Sequence, residues 1–460
     1  MAMDDKHFEG LRELLYQEPT EQNWYELLDT LDLMEGEPLA IGLEYAREHI
    51  QSWPVEMCSC KGTQDQWLQT PPKWWPLVKT LHINGHKIGD EGAKALARSP
   101  YLTSLSALSL RANHIGVEGA EALASSPYLT SLSTLDLAFN KIKDEGIKAL
   151  AKSSHLPALT KLILINNRIK YEGAVVLANS PILASLSALN LEHNRIGDEG
   201  AKALAKSSHL TSLSTLNLRT NHIGDEGLKA LVNSPHLPSL SDLCIHNNDV
   251  SYEGVRALVN SPRLASLSAL SLGHNELGDE GVKALVSSPH TTSISFLGLS
   301  GNRIGNEGVK ALAASPHLKS LSSLSLLCNE IGVEGAKALA QSSSSKSLSI
   351  LRLSINQIGD EGAKALANSP HLKALSTLNL DENDIGDEGA KALANSKHLT
   401  FLSRLDLSYN RLGNEGAKAL ANSPHLKSLS ELDLRDNQIG REGFEALDNS
   451  PYLRACRVEK

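Results

Sequence analysis

Aromatic residues are scarce in this sequence: Phe, Trp and Tyr make up only 4% of its 460 residues, whereas Leu, Ala, Ser and Gly are abundant. A chain of this length folds either as several globular domains or as a repeat array. A core built from Leu with few large rings suits thin stacked layers better than one globular core. The composition therefore favours an array.

Long apolar runs are also absent. No stretch approaches 18 consecutive apolar residues, so we expect no membrane insertion. The N-terminal sequence MAMDDKHFEG is acidic and lacks the basic and apolar regions of a secretory signal. We therefore expect a cytoplasmic protein. Export by a dedicated bacterial machine stays open, because its signals need not have that form.

A surplus of basic residues is missing as well. The formal charge is −9, and residues 1–80 carry all of it, because residues 81–460 contain 38 acidic and 38 basic side chains. General nucleic-acid binding needs clustered cationic charge. The charge balance therefore argues against nucleic acid as a partner.

The five cysteines form no framework, since their number is odd and their spacing is scattered. Cys58 and Cys60 are the closest pair, but no second pair follows that would complete a zinc site. We therefore expect a reducing compartment, no metal and no cofactor.

What the sequence has instead is a repeat. Asn recurs with a constant period of 27 from Asn113 to Asn437, and His86 takes this place in one earlier copy. Fourteen repeats in strict register indicate a solenoid. Residues 1–76 do not follow the period. We therefore divide the chain into an N-terminal module, residues 1–76, and a solenoid, residues 77–460.

Each repeat reads L-x-L-x-x-N-x-I-G-D-E-G-A-K-A-L-A-N-S-P-H-L-x-x-L. The alternating Leu before the Asn predicts a half-buried strand, and we expect the Asn side chain to bond the backbone of neighbouring turns. The Asp, as in Asp198, predicts a helix N-cap with Glu beside it in the first turn. The next Gly predicts a close approach of backbone to backbone, and the Pro of N-S-P ends the helix.

This pattern resembles the leucine-rich repeat family over residues 81 to about 455, and its helical half resembles the ribonuclease-inhibitor type. The resemblance implies an α/β solenoid shaped as a horseshoe, with a parallel concave sheet and convex helices. It also implies a protein-interaction scaffold. The nearly unvaried IGDEGAKALA segment is typical of bacterial, effector-like members. Fourteen strands about 4.8 Å apart make an inner arc of about 65 Å, wide enough for a protein domain.

We call the same position in successive repeats a column, and two columns carry titratable groups. Glu follows the Asp position in all fourteen repeats, and eight His share one position in the return loop, from His155 to His425. We interpret both as solvated scaffold positions rather than as a metal or acid–base array. No Ser-His-Asp set, P-loop or HExxH motif lies outside the repeat, so we expect no enzyme.

Residues 1–76 are expected to form a small helical cap over the exposed end of the array. Apolar residues have helical spacing in FEGLRELLY and NWYELLDTLDL, and all five tryptophans lie in residues 1–80. The alternative is a recruitment module.

Specificity must reside in the columns that vary, which are the outward strand residues and the residue before the Asn. Phe139, Ile163 and Ile165 form an outward apolar group and a binding candidate. Drift among duplicated repeats is the alternative. A second, looser group lies later in the chain. It contains Phe296, Leu327, Ile350, Arg352 and Ile355.

The last three strands carry an acidic group with one aromatic ring. Its members are Asp381, Glu382, Arg404, Asp406, Tyr409, Glu431, Asp433, Arg435 and Asp436. We expect Asp406 and Asp433 to point outward from adjacent strands and to repel each other, so that a basic protein partner would stabilise them. A merely solvated face is the alternative.

Three functions fit these observations. The first is a scaffold that binds one macromolecular partner on its concave face. The second is a regulator of an enzyme, such as a GTPase-activating protein or a nuclease inhibitor, although we find no off-pattern Arg or Asn for that role. The third is a self-associating structural array, and the oligomeric state stays open. Residues 341–349 are expected to open most easily, because Ser345 replaces a Leu.

Overall fold

The computed structural model of the chain describes residues 5–50, 53, 59–61 and 72–460. Their contacts divide the chain into two compact blocks. The N-terminal block contains Met1–Asn217 and Pro235–Ser239, and the C-terminal block contains Leu218–Ser234 and Leu240–Lys460.

Three helices begin the N-terminal block: α1 (Asp5–Tyr16), α2 (Glu21–Asp32) and α3 (Gly36–His49). They are followed by a strand that the sequence did not predict, β1 (Ser59–Lys61), which pairs in parallel with the first strand of the repeats. The helices contact the array through long polar side chains as well as apolar ones. For example, Lys79 donates from Nζ to the carbonyl oxygen of Ile50, directly after α3, at 2.9 Å. This arrangement fits a cap.

The described repeats of the N-terminal block alternate strand and helix. The remaining strands of its parallel sheet are β2 (Thr80–His82), β3 (Ala107–Ser109), β4 (Thr134–Asp136), β5 (Lys161–Ile163), β6 (Ala188–Asn190) and β7 (Thr215–Asn217). Its repeat helices are α4 (Gly89–Arg98), α5 (Val117–Ala124), α6 (Lys143–Lys152), α7 (Tyr171–Ala178) and α8 (Gly197–Ala205). Each of these strands pairs with the equivalent strand of the adjacent repeat, as the period predicts.

The C-terminal block has the same alternation. Its strands are β8 (Asp242–Cys244), β9 (Ala269–Ser271), β10 (Phe296–Gly298), β11 (Ser323–Ser325), β12 (Ile350–Arg352), β13 (Thr377–Asn379), β14 (Arg404–Asp406), β15 (Glu431–Asp433) and β16 (Arg457–Glu459). Its helices are α9 (Asp225–Val232), α10 (Tyr252–Val259), α11 (Gly278–Ser287), α12 (Asn306–Ala314), α13 (Val333–Gln341), α14 (Gly359–Ala367), α15 (Asp387–Ala394), α16 (Asn414–Ala421) and α17 (Arg441–Asp448).

In both blocks the core lies between the sheet and the helices. The alternating apolar residues in and just after β2 to β15, mostly Leu, face the helices, and Leu135, Leu137, Leu270 and Leu272 are fully buried. The Leu ten positions after the Asn is also buried in every repeat, so the sequence assigned this layer correctly. We call the opposite surface of the strands the sheet face.

The Asn column joins neighbouring repeats, as predicted. The side chain of Asn140 accepts hydrogen bonds from the backbone nitrogens of Asn113 and Ile115 at 3.0 and 2.9 Å. It donates to the carbonyl oxygens of Leu110 and Leu137, both at 2.9 Å. Every bond of this kind satisfies a backbone group that the turn out of the strand leaves unpaired.

The prediction that each Asp caps its own helix is wrong. Helix α8 begins at Gly197, so Asp198 is its second residue, and helix α15 begins at Asp387 itself. Only a residue before the first turn can reach the free N–H groups of its own helix. Asp387 instead accepts from the backbone nitrogens of Gly413 and Gly416, both at 2.7 Å, and so caps the helix of the following repeat.

The recurrence of Gly after the Glu column has the same origin. A Cβ on Gly119 would lie 2.6 Å from Oδ1 of Asp90, 2.6 Å from Cγ2 of Ile115 and 3.0 Å from Cβ of Ala93. Glycine at this position therefore makes room mainly for neighbouring side chains, whereas the sequence predicted a close contact between backbones. Adding a side chain there would displace the Asp that caps the helix.

The residue before the Asn has positive φ in all fourteen repeats, although only Gly85 and Gly301 are glycines. Phe139 (57°), Ile355 (53°) and Tyr409 (53°) adopt it despite their bulk, at a cost of about 1 kcal/mol each. Hydrogen bonds between repeats impose this backbone, as when the nitrogen of Phe139 donates at 2.7 Å to the carbonyl of the next repeat. The side chain is thereby turned outward, and these three are 38–55% exposed.

Candidate sheet-face binding site

The apolar group of the N-terminal block lies on the sheet face. Ile163 and Ile165 alternate with buried Leu and are half-buried, while Phe139 is 38% exposed. The guanidinium of Arg111 lies over the Phe139 ring, 4.4 Å from its centroid. A cation stacked on an aromatic ring beside aliphatic side chains is typical of a hot spot in a protein interface.

The second group lies in the C-terminal block. Phe296 and Ile350 are half-buried at equivalent positions of strands β10 and β12, with Ser323 between them, and Arg352 follows on β12. The Phe296 ring lies beside Gly298, since a Cβ on this glycine would be in van der Waals contact with the ring at 3.4 Å. Ile355 is 39% exposed on the turn beyond this group.

Two of the six carboxylates in the acidic group of the C-terminal block, Glu431 and Asp433, are already in ion pairs within the chain. Asp433 is only 8% exposed and forms a two-point ion pair with Arg435. Arg404 pairs with Glu431 at 2.5 Å, and Arg435 also pairs with Glu459 at 3.2 Å. The expected repulsion between Asp406 and Asp433 is therefore compensated by Arg435, whose guanidinium covers the second carboxylate.

The pKa values follow these contacts. Burial opposes ionisation of Asp433, but hydrogen bonds from the side chain and backbone of Arg435 outweigh it and hold its pKa below the ordinary value. Burial raises the pKa of Asp381, against a hydrogen bond from Ser354. A hydrogen bond to Asp436 raises the pKa of the Tyr409 hydroxyl.

Two carboxylates of this group keep an open side. Glu382 is exposed and forms no ion pair in the described residues. Asp406 is half-buried, and its Oδ1 accepts from the nitrogen and hydroxyl of Ser408 at 3.1 and 2.7 Å. Together with Asp436 and the exposed Tyr409 ring, Glu382 and Asp406 form the part of the acidic group that is open to contact by a basic partner.

Sequence reasoning missed a histidine pair on the sheet face of the C-terminal block. The rings of His246 and His274 lie 4.9 Å apart. Burial, helped by Arg219 and His274, lowers the pKa of His246 to about 4, so its ring is neutral near pH 7. A signal was present: each His is followed one repeat later by a glycine, and a Cβ on Gly273 or Gly301 would lie 2.5 Å from the ring before it.

The titratable columns of the scaffold have structural partners. The Glu column forms exposed ion pairs one helical turn along, such as Glu280 with Lys283 at 2.7 Å. Seven of the eight loop histidines are half-buried and His236 is exposed. They stand beside buried serines that donate to the previous helix, as Ser315 beside His317 does to the carbonyl of Val286 at 2.7 Å. In the part of the chain that the structure describes, no group of three His, Cys, Asp or Glu side chains is arranged to hold a metal ion.

Cys244, Cys328 and Cys456 are free thiols. The Cys58–Cys60 pair falls outside the residues whose side chains are described. Among the described helices, none combines the length and the apolar character needed to cross a bilayer.

The comparisons with known proteins agree on the fold. A family model described as Leucine Rich repeat matches twelve segments that together cover more than half of the chain. They are residues 76–97, 101–124, 128–151, 183–205, 209–232, 263–286, 290–313, 317–340, 344–367, 369–394, 398–421 and 425–447. No curated protein sequence matches the chain.

Solved structures share the architecture at low identity. A chain in the crystal structure of the yeast Rad7–Elc1 complex has a TM-score of 0.52 and 14% identity, covering 100% of this chain and 98% of that one. An internalin (InlF) from Listeria monocytogenes has a TM-score of 0.43 and 22% identity, covering 86% and 92%. A leucine-rich-repeat protein from Leptospira interrogans has 0.45 and 21%, covering 87% and 100%. With its family model, its strand–helix repeats and its Asn column, this chain belongs to the leucine-rich repeat family.

Proposed function

We propose that this protein is a protein-interaction scaffold that binds a macromolecular partner on its sheet face. The supporting observation is the group formed by Phe139, Ile163 and Ile165 with Arg111 stacked on the ring. Scaffold columns repeat nearly unchanged, while this group breaks the small and polar pattern of the same face. Exposed apolar area of this kind gains free energy when a partner excludes water from it.

The test is an affinity capture with the intact chain. The variant Phe139→Ser, Ile163→Ser, Ile165→Ser removes the group without changing buried Leu positions. A matched control, Tyr171→Ser with Tyr252→Ser, removes exposed rings from the helices, where these residues are 49% and 40% exposed. We expect a captured protein that is lost with the first variant and kept with the control. Equal capture by all three would contradict binding through this group.

A basic partner is a narrower form of the proposal, and it rests on Glu382, Asp406 and Asp436. Glu382→Gln with Asp436→Asn should weaken binding of the captured partner, and added salt should weaken binding of the wild type. Asp433 is left intact because Arg435 already holds it. Unchanged affinity in both measurements would leave the apolar group as the contact.

The role of a bacterial effector acting on host proteins is a further part of the proposal, and its support is the repeat style of the sequence. It predicts that the captured partner is a host protein and that binding, without chemistry by this chain, changes the partner's activity. Assay of the partner's own activity with and without the chain tests that point.

A further inference from the structure

The turn edge of the N-terminal block carries a row of cations. We define the turn edge as the side chains directly after the Asn column. In this block they are four cationic side chains, Lys87, Lys141, Arg168 and Arg195, together with His114, all of them exposed. Successive members belong to adjacent repeats, so they are spaced by about one strand separation, roughly 4.8 Å at the backbone.

Two further lysines extend the row at positions where the repeat has glycine. Lys143 and Lys170 replace the glycine found in eleven of the fourteen repeats, two residues beyond the turn edge. Lys143 adopts a φ of 57°, which glycine tolerates and lysine does not favour. Lys143, Lys170, Arg168 and Arg195 surround a surface depression of about 730 Å³, which also borders two carboxylates.

These cations lack ion pairs within the described part of the chain. Asp144, one of the two carboxylates that border the depression, accepts from the backbone nitrogens of Lys170 and Gly173 at 2.8 and 3.0 Å. In the C-terminal block most charges of the same column are paired: His222 with Asp249 at 3.8 Å, Arg303 with Glu276 at 3.8 Å, and Arg411 with Asp384 at 2.6 Å. The scaffold can therefore place counter-charges in this column, and the N-terminal block does not.

We propose that this cationic row binds an acidic segment of a partner protein in extended conformation. From Lys87 to Arg195 the row crosses four strand separations, about 19 Å. An extended peptide covers that distance in about six residues. The six lysine and arginine charges along this edge are complementary to a run of Asp and Glu side chains. The neighbouring cations repel one another, and each bound carboxylate would offset that repulsion with an attraction.

The shape of the edge favours a peptide over nucleic acid or a membrane. The cations occupy only two adjacent columns of the repeat, and exposed Glu145 and Glu172 stand on the helices directly beside them. A duplex or a lipid surface is much broader and would bring its phosphates against these carboxylates. A single extended strand can follow the row and avoid them. This surface is separate from the sheet face, so its test is independent of the proposed function.

The probe is a fluorescein-labelled peptide with six consecutive glutamates, titrated with the full chain by fluorescence anisotropy. We expect binding with a dissociation constant of about 100 µM at low salt, given roughly six weak exposed ion pairs, and weaker binding as salt is added. Arg168→Gln with Arg195→Gln should weaken it about fivefold. The matched control is Arg303→Gln with Arg411→Gln, the same residues in the same column of the C-terminal block, and it should change affinity less than twofold.

Lys143→Gly with Lys170→Gly is a second variant that restores the residue other repeats have, so folding is preserved. It should also weaken peptide binding. The proposal is overturned if the wild type does not bind the peptide, or if both arginine variants bind equally. It is also overturned if an oligothymidylate of equal charge binds more tightly than the peptide, or if phosphatidylserine vesicles sediment the chain while the peptide does not bind.

Discussion

The two blocks share one scaffold and differ in the columns that face solvent. Both bury the same Leu layer and use the same Asn and Asp contacts between repeats. Along its turn edge the N-terminal block has cations without ion pairs to the described residues, whereas the C-terminal block pairs most of its edge charges and places two histidines on its sheet face. The repeat therefore separates residues that determine the fold from residues free to determine binding.

The largest expected effect tests whether the scaffold is the same in both blocks. Leu162→Ala in the N-terminal block and Leu270→Ala in the C-terminal block should each cost about 2–5 kcal/mol of unfolding free energy, because both side chains are buried and leave a cavity. Urea unfolding followed by far-ultraviolet circular dichroism measures this. Tryptophan fluorescence would report only residues 1–80.

The control is Leu33→Ala, since Leu33 is 69% exposed and should change stability little. The two core costs should agree within about 1 kcal/mol if the layers are equivalent. A cost below about half a kcal/mol at either site would show that the Leu is not part of the layer.

The capping contact between repeats gives the next effect. Asp387→Ala should cost about 1–2 kcal/mol, because its carboxylate satisfies two backbone N–H groups. Hydrogen exchange should speed up at the start of α16, in the following repeat, rather than in α15, which contains the mutation. Glu388→Ala is the matched control, since this neighbouring carboxylate forms only an exposed ion pair. Loss of protection confined to α15 would restore the interpretation as a cap of its own helix.

One return loop of the C-terminal block has Ser345 where most return loops have Leu, and a single substitution removes this difference. Ser345 is buried at a position that is Leu in most repeats, and its hydroxyl donates to the carbonyl of Leu339 at 3.2 Å. Ser345→Leu should therefore stabilise the chain by about 1–2 kcal/mol and slow proteolysis within residues 341–349. Destabilisation would mean that the loop has closed around the smaller side chain. In wild type, first cleavage in a regular loop would contradict the prediction that this segment opens most easily.

The last effect concerns the pH dependence of stability. The pKa of His246 is lowered from 6.5 to about 4, so the unfolded chain binds a proton between these values that the folded chain does not. Stability should fall by about 1–2 kcal/mol as the pH drops through this window. His246→Gln should remove that part of the pH dependence, while His317→Gln on a return loop should keep it. Identical pH profiles for wild type and His246→Gln would exclude the histidine as the source.

The sequence was sufficient for the period, the buried Leu layer and the Asn contacts, because each depends on one residue type at one spacing. It was insufficient for the target of the Asp column, since whether Asp387 faces its own helix or the next depends on where the helix starts. The backbone preferences of Phe and Ile would also not predict positive φ at Phe139 or Ile355. Hydrogen bonds between repeats impose that backbone, and no single repeat contains them.

The sequence predicted which residues form the candidate site better than it predicted which of their charges are paired. Ile163 and Ile165 face outward as the alternation of strand residues required, whereas Phe139 is turned outward by its positive φ. The pairing of Asp433 with Arg435 depends on side-chain directions within one turn, which spacing alone does not determine. The histidine pair required comparing equivalent positions of adjacent repeats, His246 with Gly273, rather than neighbours in sequence.

The Asn and Asp contacts also constrain how such a chain can change length over evolution. Their hydrogen bonds join residues 25 to 30 positions apart, so each repeat supplies what its neighbour lacks. Recombination that adds or removes one whole copy of the repeat rejoins equivalent donors and acceptors at the new junction. A single inserted residue within a repeat shifts every later partner at that junction. The array can therefore lengthen or shorten by whole copies, carrying its exposed residues into new combinations while the buried contacts stay intact.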